Sequence, residues 1–456
     1  MEKGASWYSR TIILLVALNS SCSTVATNRT TEPNRAIPQP RAPIDAPRTF
    51  AQQVLDLEIP LGTVTPAMRE LVRELETQAR LRVATHDQPW DPSDVRAALQ
   101  AFHEILSQTG FTVSPDGYVE LLSEVLAPVT VNGIELTAFK HSYLNTGTRK
   151  RWLNAQSQDG RVILHVGDCD TLSFLYISMA DAVGLPLSLV ERAGDPDVVG
   201  HNWVTWQRNS TRLDWDALNG AERSGGYPAL SRQQALGYVR RLVALTMENR
   251  GSHSQAAAQL DQSIIEFPAT DAFTDYAWLL ATSWDQSVRN GARATQAVDR
   301  ALASECNYDL LDTAAAAYAT TGRFDVAVAF QTAAIDRLPA SKPITRSRFS
   351  YRLSLYQHGI PFIQARPRRQ HEIEACLYTL NKLPSNKLMI DATDHAPGRG
   401  EDMTHVTCLS LSDQLHSGSW SALIEETLGS APSLVATPVV ELPHSCRARA
   451  ASDSTP

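Results

Sequence analysis

Small residues recur at fixed intervals through residues 233–345, and that recurrence leaves few folds open. The stretch "DLLDTAAAAYATTGRFDVAVAFQTAAIDRLP" carries Ala315, Tyr318, Gly322, Phe324, Ala327, Ala334 and Pro339. "ALTMENRGSHSQAAAQLDQSIIEFP" repeats part of the set with Ala244, Gly251, Ala256 and Pro268. Between them, "DYAWLLATSWDQSVRNGARATQAVDRALA" has the pattern of a third helical pair with a longer loop. Two helices that cross closely need alanine at the crossing, and a glycine turns the chain between them. A stack of helix pairs satisfies all of these positions; the bland alternative is a generic amphipathic bundle.

The rest of the chain is organised differently. At 456 residues it exceeds what one hydrophobic core usually serves. A net charge of −8, with no basic stripe, argues against nucleic acid as partner. Thr65-Pro66 and Asp91-Pro92 read as helix starts, the first followed by Met68, Leu71, Val72 and Leu75. The second carries Val95, Leu99, Phe102 and Leu106, with Gly110 past its end. "DGYVELLSEVLAPV" (116–129) reads as a third helix, and residues 141–168 are less regular.

Chemistry concentrates at 165–216. Cys169 follows Gly167-Asp168 where a helix begins, with Leu172, Leu175, Tyr176, Met179 and Val183 as its apolar stripe and Gly184-Leu185-Pro186 as its end. Free amides and the positive dipole end of a helix favour a thiolate, while the flanking Asp168 and Asp170 oppose it. "LSLVERA" reads as a strand, and "HNWVTW" and "RLDWDAL" as a hairpin around the turn "RNST". His201 is thus a candidate base for Cys169, with Asp216 or, alternatively, Asp214 to orient its ring. An even loop at Asn209-Ser210 sets Trp203 opposite Asp216 and Thr205 opposite Asp214, and makes Asp216 the nearer neighbour of His201. The bland reading is a buried thiol on a helix stripe. His165, in an extended run, is read as a surface or satisfied core residue, and Trp206 and Trp215 as core or wall.

The order Gly167-x-Cys169, Gly184-Leu185-Pro186, His201-Asn202-Trp203 and Asp216 resembles the transglutaminase-like cysteine superfamily, over roughly residues 140–220. "SYLNTGTRKRWLN" upstream, with Tyr143 and Asn145, is similar to the segment before the cysteine in bacterial members. The resemblance implies a papain-like α+β core and a thioester acyl-enzyme formed from a peptide or protein amide. It makes Cys169 the nucleophile, His201 the base and acid, Asp216 the orienter and Trp203 a wall beside the imidazole. Asn202 departs from the family, which commonly has a small residue there, and "DWD" doubles the aspartate. The helical pairs resemble tetratricopeptide repeats, whose concave surface would hold a substrate or partner protein. The competing reading is a non-catalytic scaffold in which an inactive cysteine domain and the repeats mediate protein–protein interaction.

Lys3 and Arg10, the apolar "TIILLVAL" and then "LNSSC" resemble a bacterial lipoprotein signal with Cys22 as the lipidated residue, although Asn19 stands where leucine is preferred. The expectation is an exported chain, membrane-anchored or periplasmic, touching the membrane only through its N-terminal lipid. Five prolines mark the linker that follows. The expected divisions are a signal at 1–22, a linker at 23–50, the cysteine domain with N-terminal helices at 51–232, repeats at 233–345, and a C-terminal helix ("HEIEACLYTLNKL") with an irregular tail at 346–456. No cofactor is expected, and the Cys/His spacings make no metal site. A bridge among Cys376, Cys408 and Cys446 is open.

Overall fold

The computed structural model describes residues 48–83, 89–113, 121–132, 161–192 and 200–364. The signal with Cys22, nearly all of the linker, the segment 142–154, the helix expected at 371–383 and Cys376, Cys408 and Cys446 lie outside the described residues. Within them the chain is mixed α/β and mostly helical, with twelve α-helices and two small sheets.

Helix α1 (Phe50–Glu58) lays Phe50 edge-on against Phe174, ring centroids 5.5 Å apart. α2 (Pro66–Arg82) and α3 (Pro92–Thr109) start at their Thr65 and Asp91 caps, each with proline at the first helical position. Asp91 accepts the amides of Ser93 and Asp94, and Gly110 closes α3 at φ 92°. Both apolar faces are buried as the spacing requires, apart from the partly exposed Leu71.

The expected helix at 116–129 is much shorter. α4 spans Leu122–Leu126, and Val129 already belongs to strand β2 (Val129–Asn132). Pro128 supplies the reason, because its ring disfavours helical backbone at the residue before it, and Ala127 is extended at ψ 119°. Strand β3 (Arg161–Gly167) lies in the stretch that the sequence leaves as less regular, with His165 in an extended run. It is the middle of a sheet, parallel to β1 (Phe111–Val113) and antiparallel to β2. Its middle, Val162-Ile163-Leu164, is an unbroken apolar run, so alternation does not reveal it.

After α5 (Cys169–Val183), strands β4 (Leu187–Arg192), β5 (His201–Arg208), β6 (Thr211–Asp216) and β7 (Ala221–Arg223) form an antiparallel meander. The β5–β6 turn is the even loop Asn209-Ser210, with Asn209 at φ 53°, and Thr205 pairs with Asp214. α5 packs on β4 and β5 and on α1 and α2.

Seven helices follow: α6 (Arg232–Asn249), α7 (His253–Glu266), α8 (Thr270–Thr282), α9 (Gly291–Ser304), α10 (Tyr308–Thr320), α11 (Phe324–Arg337) and α12 (Pro343–Gln357). Each packs on the next, and α6, α8 and α10 also touch in order. Ala244, Ala256, Ala315, Ala327 and Ala334 are wholly buried in these helices. Gly251 (φ 78°) and Gly322 (φ 79°) turn the chain between α6 and α7 and between α10 and α11. α12 crosses the boundary expected at residue 345, so the helical array continues past it. Buried apolar side chains on both sides of residue 232 belong to one connected core.

Candidate functional site

The site is assembled where the start of α5 meets the start of β5. Asp168 caps α5, accepting the amides of Asp170 (3.1 Å) and Thr171 (3.2 Å), while its own amide donates to Thr171 Oγ1 (3.0 Å). The cap leaves Cys169 as the first helical residue, a free and half-buried thiol. Gly167 sits against Thr171 and Leu172 so closely that a Cβ would come within 3.1 Å of Thr171 Oγ1. That glycine lets β3 deliver the chain directly into the cap.

His201 opens β5 and Asp216 closes β6. His201 Nε2 lies 3.1 Å from Asp216 Oδ2. A carboxylate only accepts, so Nε2 carries the proton and Nδ1 is the ring's free basic nitrogen in the neutral form. Asp216 is fixed in turn by Asn219 Nδ2 (2.8 Å) and the amide of Leu218 (2.9 Å). Burial works to raise this carboxyl, but the bonds from His201, Asn219 and Leu218 outweigh it and hold it below the usual range. Asp214, the alternative orienter, is engaged elsewhere: Arg212 Nε reaches its Oδ1 at 2.8 Å.

Trp203 stacks against His201, with centroids 6.2 Å apart and planes inclined by 28°. The indole is wholly buried beneath the Arg223 guanidinium, 4.0 Å from its ring, and meets Tyr227 edge-on. Gly225 completes the cover, for a Cβ there would stand 2.8 Å from Trp203 Cζ2. Trp206 and Trp215 are core residues.

The resting thiol does not bond to the imidazole. Cys169 Sγ donates to Asp170 Oδ1 at 3.6 Å, while the backbone amide of Asn202, next to His201, supports the sulfur. Burial pushes the thiol up, and the charges of Asp170 and Asp168 push it further; the Asn202 amide only partly offsets them. Asp170 also accepts from Asn202 Nδ2 and from Tyr238 Oη of α6 (2.8 Å). His165 turns away to Val125 O (3.1 Å) and stacks on Phe111. Sequence reasoning therefore singled out Cys169, His201, Trp203 and Asp216, which gather at one end of the meander, and missed the Asp170–Tyr238 bond. Asn202 was noticed only as a departure from family usage. Its short amide side chain is what spans to Asp170.

Among the described residues, no group of three or more His, Cys, Asp and Glu is arranged to hold a metal, and no helix is long and apolar enough to cross a membrane. Comparison with models of protein families, with curated proteins and with solved structures gives no match.

Proposed function

We propose that the chain is a transglutaminase-like cysteine enzyme that takes an acyl group from a peptide or protein amide as a thioester on Cys169. The observation that carries this reading is the 3.1 Å bond from His201 to Asp216, on the strand whose next residue supports the Cys169 sulfur. Asp216 keeps the proton on Nε2, which leaves Nδ1 to take the thiol proton. The cycle begins when the thiol exchanges Asp170 for the imidazole. The thiolate attacks the amide carbon, the amide of Cys169 at the start of α5 meets the developing oxyanion, and the imidazolium returns its proton to the leaving amine. Water or a second amine then resolves the thioester.

The wider reading rests on independent supports. The buried alanines and the left-handed glycines between paired helices support tetratricopeptide-like repeats that hold a substrate or partner protein. Cys306 is disulfide-bonded, which suits the oxidising compartment reached by export, with Cys22 as lipid anchor. A second reading has a specific observation in its favour: the thiol donates to a carboxylate and is held protonated, as in a domain kept for recognition without turnover.

The two readings separate on reaction with p-nitrophenyl acetate followed by peptide mapping. An acetyl group found on Cys169, transient in the wild type and absent in His201→Ala, supports the enzyme. A Cys169 peptide that stays unmodified sinks it in favour of the scaffold.

A further inference from the structure

Among the described residues, Asp170 is the carboxylate that takes the thiol's hydrogen bond, and it is held from two sides. Asn202 Nδ2 of β5 donates to Oδ1, the same oxygen that receives the Cys169 thiol, and Tyr238 Oη of α6 donates to Oδ2 at 2.8 Å. Tyr238 is buried and belongs to the first helix after the sheet, so the helical array reaches the nucleophile through a single intervening carboxylate. Behind it on α6, Arg241 Nε reaches Asp275 Oδ2 of α8 at 2.5 Å, and its Nη1 lies 3.4 Å from Asp271 Oδ2. Direct polar contacts thus lead from Tyr238 on α6 to the thiol, and Arg241, three residues further along the same helix, ties α6 to α8.

Resting on the enzyme reading, we infer that Tyr238 is a positioning residue for the reaction: its bond to Asp170 keeps that carboxylate ionised and so keeps the Cys169 thiol protonated in the resting enzyme. Burial raises the Asp170 carboxyl, and the donors that oppose this and favour its ionised form are Tyr238, Cys169 and Asn202. Ionising the thiol would withdraw one donor and set a second negative charge beside the first. Taking away the Tyr238 hydroxyl weakens the case for a charged Asp170; the carboxyl then takes up a proton, and the barrier to a neighbouring thiolate falls. The charged and titratable groups that act on this cluster are Asp168 at the cap of α5, Glu191 on β4, and Tyr238 and Arg241 on α6. Of these, only Tyr238 gives Asp170 an O–H bond.

The test is the pH profile of Cys169 alkylation by iodoacetamide, resolved by peptide mapping in the full chain, for wild type, Tyr238→Phe, Asp170→Asn and His201→Ala. Asp170→Asn is expected to move the profile down by about one pH unit, a tenfold gain in thiolate at a fixed pH below the midpoint. Tyr238→Phe is expected to move it the same way by a smaller amount. A thermal melt of each variant accompanies the profile, since a merely structural role would lower the melting temperature and leave the profile of the folded protein in place. A folded Tyr238→Phe with the wild-type profile, or one displaced upward, overturns the inference. Failure of the enzyme reading is separate: the profile would then be unchanged by His201→Ala whatever Tyr238 does.

Discussion

Asp214 and Asp216 are two residues apart on one strand, point to one face and differ entirely in partner. Asp216 holds His201, whereas Asp214 is taken by Arg212. Asp216→Asn is therefore expected to leave the fold intact and to cut acyl transfer by on the order of 10³–10⁴-fold, because an amide can accept or donate and no longer fixes the imidazole tautomer. Asp214→Asn is expected to retain most of the activity; acetylation of Cys169 by p-nitrophenyl acetate reads both. Equal losses in the two variants would contradict the assignment. Gly225 is the other residue with a sharp expectation. A methyl group there would stand 2.8 Å from Trp203 Cζ2 and 3.3 Å from Asp214 Oδ2, so the backbone or the indole must move. Gly225→Ala should slow Cys169 acetylation by displacing the ring on which His201 stacks, at a stability cost of about 1–3 kcal/mol seen in denaturant unfolding.

At the scale of elements, α5 shows how much could be read in advance and how much could not. Its start at Cys169, its apolar stripe and its stop at Gly184-Leu185-Pro186 are local signals, and Gly184 closes it at φ 73° with its amide on Ala180 O and Asp181 O. The hairpin was equally legible, since Asn209-Ser210 sets an even loop and the pairing of Thr205 with Asp214 follows from it. β3 was not, because Val162-Ile163-Leu164 at its middle is an unbroken apolar run with no alternation to detect. Nor was the Asp170–Tyr238 bond, which joins residues 68 positions apart that no spacing rule connects. α12 escaped because the repeat pattern stops before it, although Pro343 at its start was a usable signal. Just beyond α12, Gln364 donates its amide to Thr282 O (2.7 Å) of α8 and its side chain to Glu248 of α6 (2.9 Å). Burial raises Glu248 from 4.5 to about 7, as it does Glu58 and Glu191. Their folded-state values lie above the unfolded ones, so the stability they contribute is full below pH 4.5 and is lost as pH rises through about 7. Denaturant unfolding should accordingly show less stability at about pH 8 than at pH 5, and Glu248→Gln should reduce that difference.

For the whole molecule, the connected core across residue 232 means that the sheet region and the helical array do not meet as separate bodies. α1 packs on both α5 and α6, and Arg232 at the start of α6 pairs with Asp181 of α5 (2.8 Å) while its guanidinium lies over the Phe50 ring. The thiols divide accordingly: Cys169 is free beside the sheet, and Cys306, in the array, is disulfide-bonded. Alkylation without reductant should reach Cys169 and spare Cys306, and reduction should lower the unfolding free energy by about 2–4 kcal/mol. The central claim is that Cys169 and His201 act as a pair, and it is tested most directly by the rate of Cys169 alkylation across pH 4 to 9 in wild type and in His201→Ala. The account predicts a wild-type thiol that labels slowly below the free-thiol value of about 8.5, because Asp170 holds it protonated, and a rate that falls further across the range without the imidazole that takes its proton. A rate and pH profile that are the same in both proteins would contradict it.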